Sequence, residues 1–130
     1  MPVQLYRVIL PVTDIKAAAA FYGAIFGDPG RRVSRGRHYF GAPGQGAILA
    51  CYDPTADGDP VGEGWRFHSH QYFYFSVPDL AATLIAARQA GAKDITPIEK
   101  MPWGETAFYA VDRFDNRICF VAAGTEFTGP

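Results

Sequence analysis

Two stretches of the chain read alike: Val12-Thr13-Asp14-Ile15-Lys16-Ala17 and Val77-Pro78-Asp79-Leu80-Ala81-Ala82. Each is the end of an apolar, strand-like run, then an Asp suited to cap a helix, then the first helical turn. Beyond both, the same order continues, with a helix followed by three short strands. One such module cannot close a core alone, so two must complete each other, within one chain or between chains. The expected fold class is therefore α+β, with two tandem βαβββ modules forming curved, cupped mixed sheets and a helix packed on each. A length of 130 residues suits one domain. Module one is expected over about 1–53, a linker over about 54–69 and module two over about 70–130.

In module one, Leu5 to Val12 reads as a strand, and Ile15, Ala18, Ala19, Tyr22, Ile25 and Phe26 share one helical face. Gly27 and the Asp28-Pro29-Gly30 turn end that helix. Strands are expected at Arg32–Ser34, Arg37–Gly41 and Ala47–Tyr52. Asp53 to Gly64, rich in Asp, Pro, Gly and Glu, reads as a surface linker. In module two, Gln71–Val77 is a strand, Leu80, Leu84 and Ala87 mark a buried helical stripe, and Gly91 closes the helix. Strands at Asp94–Glu99, Glu105–Val111 and Arg117–Ala122 complete the set, with Asp115-Asn116 as a turn that tolerates left-handed backbone.

Twelve basic and thirteen acidic residues give a formal charge of −1, which argues against nucleic acid or an anionic membrane as partner. No apolar run reaches the roughly 18 residues that span a bilayer. Met1-Pro2-Val3-Gln4 lacks the basic start and apolar stretch of a signal peptide. Cys51 and Cys119 sit far apart in strand-like runs and read as reduced, buried thiols, so the expected location is the cytoplasm. Ten Phe, seven Tyr and two Trp make 15% of the chain. That is more than packing alone usually needs, so some rings are expected to line a pocket.

Val8-Ile9-Leu10-Pro11-Val12-Thr13-Asp14, followed by Phe21-Tyr22 and Ile25-Phe26-Gly27, resembles the opening of glyoxalase and bleomycin-resistance proteins, of the vicinal oxygen chelate superfamily. The ending Asp112-Arg113-Phe114-Asp115-Asn116-Arg117-Ile118-Cys119 is similar to their final hairpin, which usually reads Asp-Pro-x-Gly-Asn-x-apolar-Glu. The resemblance covers nearly the whole chain and is specific for fold rather than activity. That superfamily includes isomerases, dioxygenases, thiol transferases and pure binders, and most relatives pair about a two-fold axis. A homodimer is therefore expected.

The resemblance also implies where a divalent metal would be held: an early position on each module's first strand, and a position on its last. Counting back from Val12 and Val77 gives Arg7 and Tyr72, and the last-strand position of module two is Cys119. Ala47 to Tyr52 supplies no acid and no His. Arg cannot ligate, Tyr rarely does, and one Cys makes no site for a hard or borderline cation. No cofactor is expected. The alternative is a divalent metal on His68 and His70, with Glu105 as third ligand.

By strand alternation Arg7, Ile9, Tyr72 and Tyr74 face a cleft, Cys119 joins them, and Trp103 with Tyr109 or Phe108 covers the opening. Arg31, Arg32, Arg35 and Arg37 crowd one hairpin, either as a solvated edge or as an anion-binding loop. The leading expectation is a metal-free binder of a small planar or aromatic molecule. The rival is an enzyme of the same fold (glyoxalase-, dioxygenase- or epimerase-like), metal-dependent through His70 or using Tyr72 or Cys119 for acid–base chemistry. A third is a structural or regulatory dimer with a vestigial cleft.

Overall fold

The computed structural model describes residues 3–42, 44–62 and 71–129. The chain forms two compact units, residues 1–67 and 68–130. Unit 1 contains β1 (Arg7–Pro11), α1 (Ile15–Phe26), β2 (Arg31–Ser34), β3 (Arg37–Phe40) and β4 (Ile48–Tyr52). Unit 2 contains β5 (Tyr72–Val77), α2 (Leu80–Ala90), β6 (Glu99–Lys100), β7 (Thr106–Val111) and β8 (Arg117–Ala122). The sheet orders are β1-β4-β3-β2 and β5-β8-β7-β6. In both, the first strand pairs parallel with the last and the remaining pairs are antiparallel. The repeat in the sequence is thus a repeat in topology: two four-stranded mixed sheets, each with one helix, neither closed.

The helix ends follow from their capping residues. Asp14 and Asp79 sit in extended backbone and accept the N–H groups of Ala17 and Ala82 at 3.1 and 3.0 Å. Gly27 and Gly91 close the helices in the left-handed region, at φ 64 and 95°. The buried stripe of α1 is Ile15, Ala18, Phe21, Tyr22 and Ile25. Its rings meet Phe40 of β3, with centroids 6.4 Å away for Tyr22 and 5.3 Å for Phe26. On α2 the stripe is Leu80, Thr83 and Ala87. Leu84, expected in that stripe, is half-buried, and Thr83 takes its place by donating its hydroxyl to the Asp79 carbonyl at 2.8 Å. Beneath α2, Phe108 and Phe75 flank Phe120 with stacked rings 5.1 and 5.4 Å away.

Two expectations are corrected. Leu5 and Tyr6 precede β1 rather than opening it, and both are exposed. The strand expected at Asp94–Glu99 shrinks to Glu99–Lys100, after a single bridge between Lys93 and Val111. Asp94 there takes φ 52°, which breaks an extended run, and Pro97 has no N–H for a ladder. The acidic stretch after β4 carries more structure than a linker needs. The Asp57 side chain is only 8% exposed and accepts from the Ser34 hydroxyl, the Gly36 N–H and Arg37, which ties residues 53–59 to the β2–β3 hairpin.

Candidate functional site

Strand register gives the face of the unit 2 sheet opposite the stacked phenylalanines. Tyr72 aligns with Arg117 and Val111, Tyr74 with Cys119 and Tyr109, and Ser76 with Val121 and Ala107. Tyr72 and Tyr74 remain 44% and 52% exposed. Their rings and that of Tyr109 form a triangle of centroids 5.8 to 6.3 Å apart, and Tyr109 meets both edge-on. The Tyr74 and Tyr109 hydroxyls lie 3.3 Å apart. Cys119 is fully buried beneath them, against Ala107, Val121, Met101 and Tyr109. Burial pushes its thiol up to about 12. The bond to Tyr74, then burial, moves the Tyr109 hydroxyl well above the usual tyrosine range. Neither group is poised to act as a base near neutral pH.

Beside this face opens a cavity of about 430 Å³ lined by Tyr74, Ser76, Trp103, Glu105, Glu126 and Phe127, together with Phe75 and Val121. Two carboxylates fix its rim. Glu105, 8% exposed, accepts the Trp103 indole N–H at 2.7 Å on one oxygen and the Phe127 N–H at 3.1 Å on the other. Glu126 accepts the Ser76 hydroxyl and the Gly124 N–H, both at 2.6 Å. The segment after β8 is thereby strapped along the sheet. Thr125 strengthens the strap by accepting the Thr106 N–H at 3.1 Å. Unit 1 has a second cavity of about 670 Å³, lined by Gln4, Leu5, Tyr6, Gly44, Gly46 and Ile48, which carries no ionisable group but one phenol.

Of the residues singled out in the sequence, Tyr74, Trp103 and Glu105 line the unit 2 cavity. Tyr72, Tyr109 and Cys119 share its sheet face without lining it. Arg7 and Ile9 belong to unit 1, on the face shared with Ala50 and Tyr39. Arg7 is exposed, with its guanidinium 5.3 Å from the Tyr6 ring and 5.9 Å from that of Tyr39. It is no buried cation waiting for a ligand oxygen. Ser76, Glu126 and Phe127 were not legible as site residues, because only the strap brings the tail to β5.

Register also identifies the module-one counterpart of Cys119. Ile9 pairs with Ala50 as Tyr74 pairs with Cys119, so Ala50 is the module-one counterpart of Cys119. Unit 1 offers a guanidinium and a methyl group, and unit 2 a phenol and a buried thiol that holds its proton. These groups do not fit a divalent cation. Among the described residues no group of three or more His, Cys, Asp or Glu is placed to hold a metal ion. His68 and His70 lie outside the described residues. Both oxygens of Glu105, their suggested companion, are already occupied by N–H groups of its own unit.

The arginine hairpin is engaged rather than open. Arg31 donates to the Gly41 carbonyl at 2.6 Å, Arg32 to His38 Nδ1 at 3.5 Å, and Arg37 pairs with Asp57 and Asp59. Arg37 also stacks 4.3 Å over the Tyr52 ring. Arg37 is the most fully engaged of the four, while Arg31 and Arg32 each spend one of their five N–H donors. His38, buried under α1, donates from Nε2 to the Pro29 carbonyl at 2.8 Å while Nδ1 accepts from Arg32.

The sequence model of the Glyoxalase/Bleomycin resistance protein/Dioxygenase superfamily matches residues 4–120, and the chain belongs to that family. Solved structures share its fold. A glyoxalase-related enzyme from Fulvimarina pelagi is 21% identical, with a TM-score of 0.70 over 93% of this chain and 88% of that one. A glyoxalase/bleomycin resistance protein from Albidiferax ferrireducens T118 is 18% identical, with a TM-score of 0.73 over 91% and 97%. An antibiotic-binding protein from Streptomyces sp. CB03234 is 19% identical, with a TM-score of 0.63 over 93% and 96%. No curated protein matches the chain in sequence. Among the described residues, no helix is long and apolar enough to cross a membrane.

Proposed function

We propose that this protein is a metal-free binder of a small planar or aromatic molecule, held in the unit 2 cavity against the tyrosine face. The observation that carries this reading is the half-exposed ring set, Tyr74 and Trp103, standing at the wall of a cavity of about 430 Å³. Leaving such rings wet is unfavourable, and each ring pair formed with a flat ligand contributes about 0.5–1.5 kcal/mol beyond area burial. The antibiotic-binding neighbour of the same fold supports the reading by analogy of architecture. A thermal-shift screen of planar antibiotics and metabolites should give hits that stabilise the protein. Tyr74→Ala should weaken any hit by about tenfold or more, a loss of roughly 1.4 kcal/mol. Arg35→Ala should leave it unchanged. Hits indifferent to Tyr74→Ala would place the ligand elsewhere and sink the assignment.

The second reading, an enzyme with a divalent metal on His70, predicts near one metal per chain. On the proposal made here, protein purified without chelator yields far less Zn, Ni, Mn or Fe by elemental analysis. A stoichiometric metal lost on His70→Ala would replace the binder by the enzyme.

A homodimer in the cytoplasm completes the proposal. Each sheet ends in edge strands, β1 and β2 in one and β5 and β6 in the other, and Val3, Leu5, Tyr6 and Val33 are exposed. Light scattering should give about twice the chain mass of 14.2 kDa. A single-chain mass at micromolar concentration would count against it.

A further inference from the structure

The unit 2 cavity combines aromatic walls with two carboxylates and, among the described residues, has no basic side chain in its lining. Among the described residues, neither Glu105 nor Glu126 has a Lys, Arg or His within ion-pair distance. Their hydrogen bonds come only from neutral donors: an indole N–H, a hydroxyl and two backbone N–H groups. Such donors hold the carboxylates in place without cancelling their charge. The Ser76 hydroxyl above all, helped by nearby backbone N–H groups, keeps the Glu126 carboxyl below the usual carboxylate range, so it is ionised at neutral pH. Glu105 is more than nine-tenths buried. An anion taken out of water without a counter-charge is costly, and a ligand that brings a cation offsets that cost. The faces of Trp103, Tyr74 and Phe127 attract the same charge through their ring quadrupoles.

We propose that this cavity selects an organic cation: a protonated amine or amidinium carried on a flat aromatic body, with Glu105 and Glu126 as its counter-charge. The proposal rests on the reading of unit 2 as the ligand site and adds the sign of the ligand.

The test is calorimetric titration of the full-length protein with three probes of one shape: naphthylmethylamine, naphthylmethanol and naphthylacetate. The amine should bind at least about tenfold more tightly than the alcohol, and the carboxylate most weakly. Added salt should weaken the amine alone. Glu126→Gln keeps an oxygen for the Gly124 N–H and can donate its NH2 to the Ser76 hydroxyl oxygen, but removes the charge. It should sharply reduce the ratio of amine to alcohol affinity, a ratio that a general loosening of the rim would leave unchanged. Should that variant fold poorly, the ranking of the three probes on the unaltered protein still decides. Equal affinity of amine and alcohol, or a tightest carboxylate, overturns the cation while leaving the planar-ligand reading intact. Failure of all three to bind overturns both.

Discussion

Replacing Asp112 with Ala should cost about 3–5 kcal/mol, enough to take most of the margin of a domain whose total stability is about 5–15 kcal/mol. Asp112 is fully buried at the end of β7, and its carboxylate reaches across the last hairpin. One carboxylate oxygen accepts the Phe114 and Asn116 N–H groups at 2.8 and 2.9 Å, and the other accepts the Asn116 side-chain amide at 2.9 Å. Alanine would leave three donors without these acceptors, two of them in the buried Asn116, and each such loss costs about 1–3 kcal/mol. Asp112→Asn keeps an oxygen for the two backbone groups and should cost about half as much. Urea midpoints measure both. Equal stability of the alanine variant and the parent would show that water replaces the carboxylate and that the hairpin is held by something else.

The second large effect is steric. Gly36 ends the two-residue turn between β2 and β3, and a Cβ there would stand 2.1 Å from the Asp53 carbonyl oxygen and 3.0 Å from the Asp57 carboxyl carbon. The contact is with backbone, so no side chain can swing away. The same residue donates its N–H to Asp57 at 2.6 Å and accepts the Asp53 N–H at 2.8 Å. Relief of the clash must therefore break the bonds that join the acidic turn to the hairpin. Gly36→Ala should cost about 3 kcal/mol, at the upper end of the usual range for overpacking. Gly62→Ala, where a Cβ meets nothing within 4 Å, should stay within about 0.5 kcal/mol. A Gly36→Ala protein that melts with the parent would mean the turn and hairpin part freely.

These two sites show what the sequence carries and what it hides. Asp112 to Asn116 was readable as a turn because its residue types announce it, and Asp115 does take left-handed backbone at φ 68°. The two helices were readable because Asp caps, apolar spacing and glycine stops are local signals. The strand before β7 was misplaced because Asp94 and Pro97 interrupt a run whose composition still looks extended. Asp57 looked like linker because nothing local distinguishes a solvated Asp from one that accepts three hydrogen bonds across twenty residues of chain.

The site divides in the same way. Tyr72, Tyr74, Tyr109 and Cys119 fall on one face by strand period alone, and Trp103 is marked by Pro102 and Gly104 beside it. Glu105 is legible as a charged group, and its bonds to Trp103 and Phe127 set it in the cavity rim. Glu126 and Phe127 carry no periodicity and follow the last strand. Only the Ser76–Glu126 and Phe127–Glu105 bonds place them at the cavity, and both join residues far apart in sequence.

The central claim is that a planar ligand occupies the unit 2 cavity, and the most direct measurement is a two-dimensional NMR titration of isotope-labelled protein with the strongest hit of the screen. The Trp103 indole N–H, assigned by its loss in Trp103→Phe, should shift with the ligand, together with the amides of Tyr74, Ser76, Val121 and Phe127. Shifts confined to Leu5, Tyr6, Gly44, Gly46 and Ile48, with the Trp103 indole unmoved, would put the ligand in the unit 1 cavity and contradict the account.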